Sequence, residues 1–256
     1  MKLTILGCSG GIGPGTNTTS FLINDHILID AGTGVGSLTI EQMSKITHLF
    51  LTHSHLDHIS HLPFMLNNLI GEVDSTLQVF GSQHTLQALK NHIFNEVIWP
   101  DFTRLPTKES PCVTLHPMEE GESVTVGEVK VVALPAEHSV PTLGFWVGNL
   151  SGQGYFAFSG DCGVNQAFWQ ALDELPEVEV LIVDDQYMEK EKAISALAKH
   201  YYPAALETDL RQLSYQPQLY LTHLPAYKAG EVFEEAQAVL SDWHPRVLKT
   251  GMVLAF

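Results

Sequence analysis

The chain has 256 residues, 45% of them hydrophobic and 16% charged, enough to bury one large core or two smaller ones. Its formal net charge is -16, with 13 Lys plus Arg and no basic cluster, which argues against a long nucleic-acid partner but not against a small anion drawn to a metal centre. Cys8, Cys112 and Cys162 stand too far apart to suggest a disulfide framework or a thiolate zinc site, and an odd count fits a reducing compartment. The opening apolar run is too short for a signal peptide and no stretch is long enough to span a bilayer, so the expectation is a cytoplasmic protein with no membrane partner.

Residues 2–6 read as a strand, followed by a glycine-rich turn over residues 7–16. That turn lacks the lysine of a phosphate-binding loop, and strand-like alternation follows it where a dinucleotide fold needs a helix. Phe21-Leu22-Ile23 and Ile27-Leu28-Ile29 flank Asn24-Asp25, a hairpin signal. Asp30-Ala31-Gly32 ends the second strand, and residues 36–44 suit a short helix. The apolar run 47–51 then reads as a buried strand leading into His53-Ser54-His55-Leu56-Asp57-His58. In extended backbone His53 and His55 point to one side, whereas the adjacent Asp57 and His58 cannot share a direction. This arrangement suits two neighbouring metal positions better than one.

A helix is expected from Ser60 to Ile70, a strand over 77–80 and a helix over 83–94. An aromatic stretch, 92–102, ends any helix at Pro100. From Cys112 to Phe158 the pattern is nearly all β, with His138 and Asp161 at strand ends. Beyond it come a helix over 164–174, a strand over 178–183 ending at Asp184-Asp185, helices over 189–199 and 203–214 with His200 between them, and a strand ending at His223. A helix over 228–240 follows, and residues 247–249 and 252–254 are expected to close as a hairpin. His26, His48, His84, His116 and His244 match no motif.

The block His53-x-His55-x-Asp57-His58 resembles the signature of the metallo-β-lactamase superfamily, and the 92–102 stretch, the surroundings of His200 and Leu221-Thr222-His223-Leu224-Pro225 resemble segments of class II 3′,5′-cyclic-nucleotide phosphodiesterases. The resemblance implies an α/β (α+β) fold, a four-layer αββα sandwich, with residues 1–256 as one domain. It implies His53, His55 and His138 on one metal, Asp57, His58 and His223 on a second, and Asp161 bridging both. It also implies that Asp30 orders the metal loop rather than binding metal. Imidazole and carboxylate donors suit two divalent ions, zinc foremost, with manganese or iron as alternatives. His58 and Asp161 depart from the classical zinc β-lactamases, and His55 departs from the flavodiiron oxidases.

The expected activity is two-metal hydrolysis of a small cyclic nucleotide, cAMP or cGMP, to the 5′-nucleotide. His200 is the expected proton donor to the leaving alkoxide, with Asp57 orienting it as well as binding metal. Asn95, Trp99 and His61 are candidate substrate contacts. Alternatives are tRNA 3′ processing as in RNase Z, which the charge disfavours, thioester or lactone hydrolysis, and a binding module with a dead site. A homodimer is left open.

Overall fold

The computed structural model describes residues 1–72 and 75–256. Its strands are β1 (Lys2–Gly7), β2 (Ser20–Ile23), β3 (Ile27–Ile29), β4 (His48–Phe50), β5 (Leu77–Gly81), β6 (Val113–Pro117), β7 (Ser123–Val126), β8 (Val129–Ala136), β9 (Thr142–Asn149), β10 (Tyr155–Phe158), β11 (Val180–Asp184), β12 (Gln218–Thr222), β13 (Arg246–Val247) and β14 (Val253–Ala255). They form two seven-stranded sheets, ordered β14-β1-β2-β3-β4-β5-β6 and β13-β12-β11-β10-β9-β8-β7. Helices α1 (Ile40–Met43), α2 (Leu56–Ile59), α3 (Leu62–Leu69) and α4 (Gln83–Ala88) belong to the first half. Helices α5 (Gln166–Asp173), α6 (Lys192–Ala198), α7 (Pro203–Leu210) and α8 (Ala229–Val239) belong to the second.

Strand periodicity produces the layers. In β4, Phe50 joins the core between the sheets while Leu49 joins a second core beneath Leu62, Met65 and Leu66 of α3. In β11, Ile182 faces the shared core while Leu181 and Val183 meet Phe168 and Trp169 of α5 and Leu206 of α7. Strands buried on both faces carry unbroken apolar runs, which is why 47–51 and 178–183 read so clearly. Aromatic pairs tie the two sheets together: Phe21 meets Phe158 edge-on at 4.9 Å, and Phe50 meets Phe145 edge-on at 5.9 Å. The result is the four-layer αββα sandwich.

The hairpin between β2 and β3 turns on Asn24 and Asp25, both left-handed at φ 47° and 66°. Three expectations differ from the structure. The helix expected over 60–70 starts two residues later, as α3 at Leu62, and a separate short helix, α2, precedes it; between them the backbone of His61 donates to the Ala31 carbonyl. The helix expected over 83–94 tightens into α4 and then widens into a π turn over Leu89–Ile93. The expected C-terminal hairpin does not form. Residues 246–247 pair in parallel with β12 in the second sheet, whereas 253–255 pair with β1 in the first. Both segments satisfy open sheet edges, which stabilises more backbone than pairing with each other.

A buried polar cluster anchors α7 behind the future site. Tyr201 is fully buried, its hydroxyl donates to Asp209 Oδ2 at 2.6 Å, and it accepts from Trp169 Nε1 at 3.1 Å. Tyr201→Phe leaves the indole N–H without its acceptor and removes a hydrogen bond to a carboxylate. The expected loss is about 1–3 kcal/mol in urea denaturation. A loss near zero would show that both groups find other partners.

Candidate metal centre

The strands bring distant residues to one edge of the sandwich. Asp30 follows β3, and the loop carrying His53–His58 follows the parallel strand β4. In the second sheet β8 and β10 are both antiparallel to β9, so they run in the same direction. His138 follows β8, Asp161 follows β10, Asp184 ends β11 and His223 follows β12. Carboxyl ends of strands in this kind of open sheet are where sites form. Asp30 and His223 hold left-handed backbone, φ 56° and 61°, conformations that non-glycine residues keep when surrounding contacts enforce them. His223 is enforced by its N–H on the Cys8 carbonyl at 2.8 Å.

All seven side chains implied as ligands converge. Donor atoms of His53, His55 and His138 lie within 4.8 Å of one another, as do those of Asp57, His58, Asp161 and His223. The two groups meet at Asp161, whose Oδ2 is 3.7 Å from His53 Nε2, 3.3 Å from His58 Nε2 and 3.1 Å from His223 Nε2. His138 Nε2 and His55 Nδ1 face each other at 3.3 Å. The Nε2 atoms of His53 and His58 and Oδ1 of Asp161 are buried without a hydrogen-bond partner. Unpartnered buried polar atoms are costly, and here their lone pairs share one space. Divalent cations at that space would satisfy them, so the residues fit a metal site.

Outer hydrogen bonds aim the rings. His58 Nδ1 donates to Asp30 Oδ2 at 2.7 Å, and His138 Nδ1 donates to the Lys199 carbonyl at 3.0 Å. Thr52 donates its hydroxyl to Asp30 Oδ2 and its N–H to Oδ1, both at 2.8 Å, leaving its oxygen to accept from His53 Nδ1 at 2.9 Å. Each bond fixes a tautomer that leaves Nε2 free. Asp30 thus orders the loop without touching the ligand space. Gly32 belongs to the same support: a Cβ there would stand 2.1 Å from the Asp57 carbonyl oxygen.

Charge follows this geometry. Burial opposes ionisation of His58, but Asp161 and Asp30 prevail and raise it well above the ordinary imidazole range. His223, also opposed by burial, is raised to about 9 by Asp161 and Asp57. Burial pushes Asp57 up, but the His223 hydrogen bond and the charge of His58 bring it down to about 2. Asp161 is held well below the carboxylate range by His223 and His58 against its own burial. Burial, with His58 beside it, lowers His53 well below the usual value.

The carboxylate that orients His200 is Asp184, not Asp57 as expected. His200 Nδ1 is 2.7 Å from Asp184 Oδ2, and that oxygen also accepts from Cys162 N at 3.0 Å. Asp57, in the first turn of helix α2, instead meets His223 at 3.2 Å. His200 itself lies in the cluster, with a ring nitrogen within 4.8 Å of donor atoms of His138 and Asp161, and its ring stacks on His223 at 5.1 Å. In the sequence Asp184 is marked only by its place at the end of a strand. That strand-end position, shared with the other site residues, was the available signal.

The candidate substrate contacts each have partners of their own. Asn95 Oδ1 accepts from the backbone of Val97 and Ile98, and its Nδ2 donates to Asn91, so its amide is engaged within its own loop. Trp99 packs edge-on against Phe64 at 5.1 Å, and Phe64 in turn lies 5.6 Å from the His61 ring. Cys162 is buried and its thiol donates to the Gly163 carbonyl, away from the ligand atoms.

The fold and this donor set define a hydrolase of the metallo-β-lactamase fold. The chain belongs to the beta-lactamase superfamily domain family, whose profile matches residues 25–239. It is 31% identical over 103 residues to 3′,5′-cyclic-nucleotide phosphodiesterase 1 of Saccharomyces cerevisiae, covering 40% of this chain and 28% of that protein. It is 26% identical over 156 residues to ribonuclease BN of Cronobacter sakazakii, covering 57% of this chain and 48% of that one. The matches therefore span less than half the length of either relative. The crystal structure of unliganded yeast PDE1 superposes with a TM-score of 0.82 at 19% identity, covering 100% of this chain and 99% of that one. Among the described residues no helix is long and apolar enough to cross a membrane.

Two expected outcomes follow from the donor set. Only neutral imidazole binds metal, and His223 and His58 carry protons in the metal-free site at neutral pH. Metal loading at pH 7 should release about one to two protons per chain, and affinity should rise with pH up to about 9. Calorimetry in buffers of different ionisation heat counts the protons, and zero release would contradict the ion-paired site. Asp30→Ala should lower metal affinity about 10- to 100-fold in a chelator competition, because His58 and Thr52 lose their anchor.

Proposed function

We propose that this protein is a dinuclear metal-dependent phosphodiesterase that hydrolyses 3′,5′-cyclic nucleotides to 5′-nucleotides. In this reading His53, His55 and His138 hold one ion, Asp57, His58 and His223 hold the other, and Asp161 bridges. Zinc is the first choice, with manganese or iron next, since the donors are imidazole and carboxylate alone. Divalent ions there supply positive charge against an anionic phosphodiester and lower the pKa of attacking water.

The observation that carries the reading is His200, set among the ligand atoms yet held by a carboxylate of its own. Hydrolysis of a cyclic phosphodiester forms a bond from water oxygen to phosphorus and breaks the bond from phosphorus to O3′. The departing alkoxide is strongly basic and needs a proton. His200 supplies it from the ring nitrogen opposite Asp184, and Asp184 keeps that ring from rotating. Asp57, the most exposed carboxylate of the ligand set, takes part both as ligand and as hydrogen-bond partner of His223. The named activity of the yeast relative supports the choice of substrate.

The ribonuclease relative favours a second reading, cleavage of a tRNA 3′ end. The charge of -16 opposes a grip on polyanionic RNA. Purified protein loaded with zinc or manganese should turn over cAMP or cGMP in preference to pre-tRNA, a thioester or a lactone. Absence of turnover for every phosphodiester would remove the proposal. His200→Ala should reduce kcat for cyclic AMP about 10²- to 10⁴-fold. An aryl phosphodiester, whose leaving group departs unprotonated, should lose far less, and equal losses would remove His200 as proton donor.

A further inference from the structure

Beside His200 and His223 lies an open groove of about 390 Å³ that the hydrolytic chemistry does not use. One wall is the glycine turn, including Gly11 and Gly13, and the other carries Gln186, Tyr187, Tyr227 and Lys228. A Cβ on Gly10 would lie 2.8 Å from His223 Nδ1, so the turn rests directly on that ring. The Tyr187 ring meets His200 edge-on at 5.9 Å.

Three features suit a flat, polar-edged ring. Tyr187 and Tyr227 both line the groove, and Lys228 Nζ lies over their rings, 5.9 Å and 5.5 Å from the centroids. Lys228 is neutralised by Glu191 at 2.5 Å, so it holds the tyrosines in place rather than presenting a free charge. Gln186 is a part-buried residue on the groove wall. A carboxamide pairs a donor with an acceptor, which matches the edge of a nucleobase. Base stacking on aromatic side chains tolerates every base, while such an edge contact discriminates among them.

We infer that this groove is the nucleobase subsite of the metal centre, with Tyr187 and Tyr227 as stacking faces and Gln186 as the edge reader. The inference rests on the nucleotide-phosphodiester reading above. A phosphate at the metals then places its ribose past His200 and its base over the glycine turn. The glycines matter because any side chain there would fill the space of the base or displace His223. On the other flank, a groove of about 380 Å³ lined by Ser54, His84 and Asn91 carries histidine but no tyrosine, tryptophan or phenylalanine. It lacks a six-membered stacking face.

The test compares adenosine 5′-monophosphate with ribose 5-phosphate, which has the same phosphate and sugar but no base, by titration calorimetry on zinc-loaded protein. The wild type should bind the nucleotide at least about tenfold more tightly. Tyr227→Ala and Gln186→Ala should each shrink that difference several-fold, Tyr227→Phe should restore it, and His84→Ala should not alter it. Tyr227 is 84% exposed, so its replacement leaves folding intact. Equal binding of the two ligands, no binding of the nucleotide, an unchanged difference in both variants, or a difference lost in His84→Ala would each overturn the groove assignment. Failure to turn over cyclic nucleotides, with the base-dependent difference intact, would instead remove the catalytic reading and leave the groove standing.

Discussion

Asp161 sets the constraint on which the site depends. One of its oxygens is surrounded by three imidazole nitrogens, and Asp161, His53, His58 and His223 are all buried. Without cations that arrangement holds together only by retaining protons on His58 and His223. Such a buried, mutually dependent set is strongly destabilised when one partner is lost, because the others are left unpaired. The fold meets this demand from outside the cluster. Asp30, Thr52 and the Lys199 carbonyl hold the far sides of the rings, so their Nε2 atoms point inward before any ion arrives.

Asp184 extends the same logic to the proton donor. It is fully buried, ends a central strand, and faces both His200 and His223. The ring next to a proposed ligand and the ring proposed to deliver a proton are therefore registered against one rigid carboxylate. A shift of β11 relative to β12 would disturb both together. Their pairing is parallel and in register through Asp184 and Thr222, which keeps the two histidines stacked.

Much of this was legible in the residues. Chemistry and spacing mark His53–His58, and apolar runs bounded by turn residues place β2, β3, β4 and β12 near their observed limits. The αββα layering rested on resemblance, because a strand buried on both faces does not say which helix covers it. Other features could not be read in one dimension. The break between α2 and α3 is accompanied by a hydrogen bond to Ala31, and the fate of residues 246–255 depends on which sheet edges remain open. Chemical type alone matches Asp57 to His200 in the sequence, whereas the fold gives His200 to Asp184 and Asp57 to His223. The supporting carbonyl of Lys199 has no side-chain signature at all.

The contact between the Cys8 carbonyl and the His223 amide joins positions 215 apart along the chain. Contacts of this kind close a long loop and so form slowly, and the centre is complete only once both ends of the described chain have come together. Until residue 223 has been synthesised and folded back, the His53–His58 loop exists as a half-built chelator. The complete donor set is thus a property of the folded chain and not of the His53–His58 loop alone.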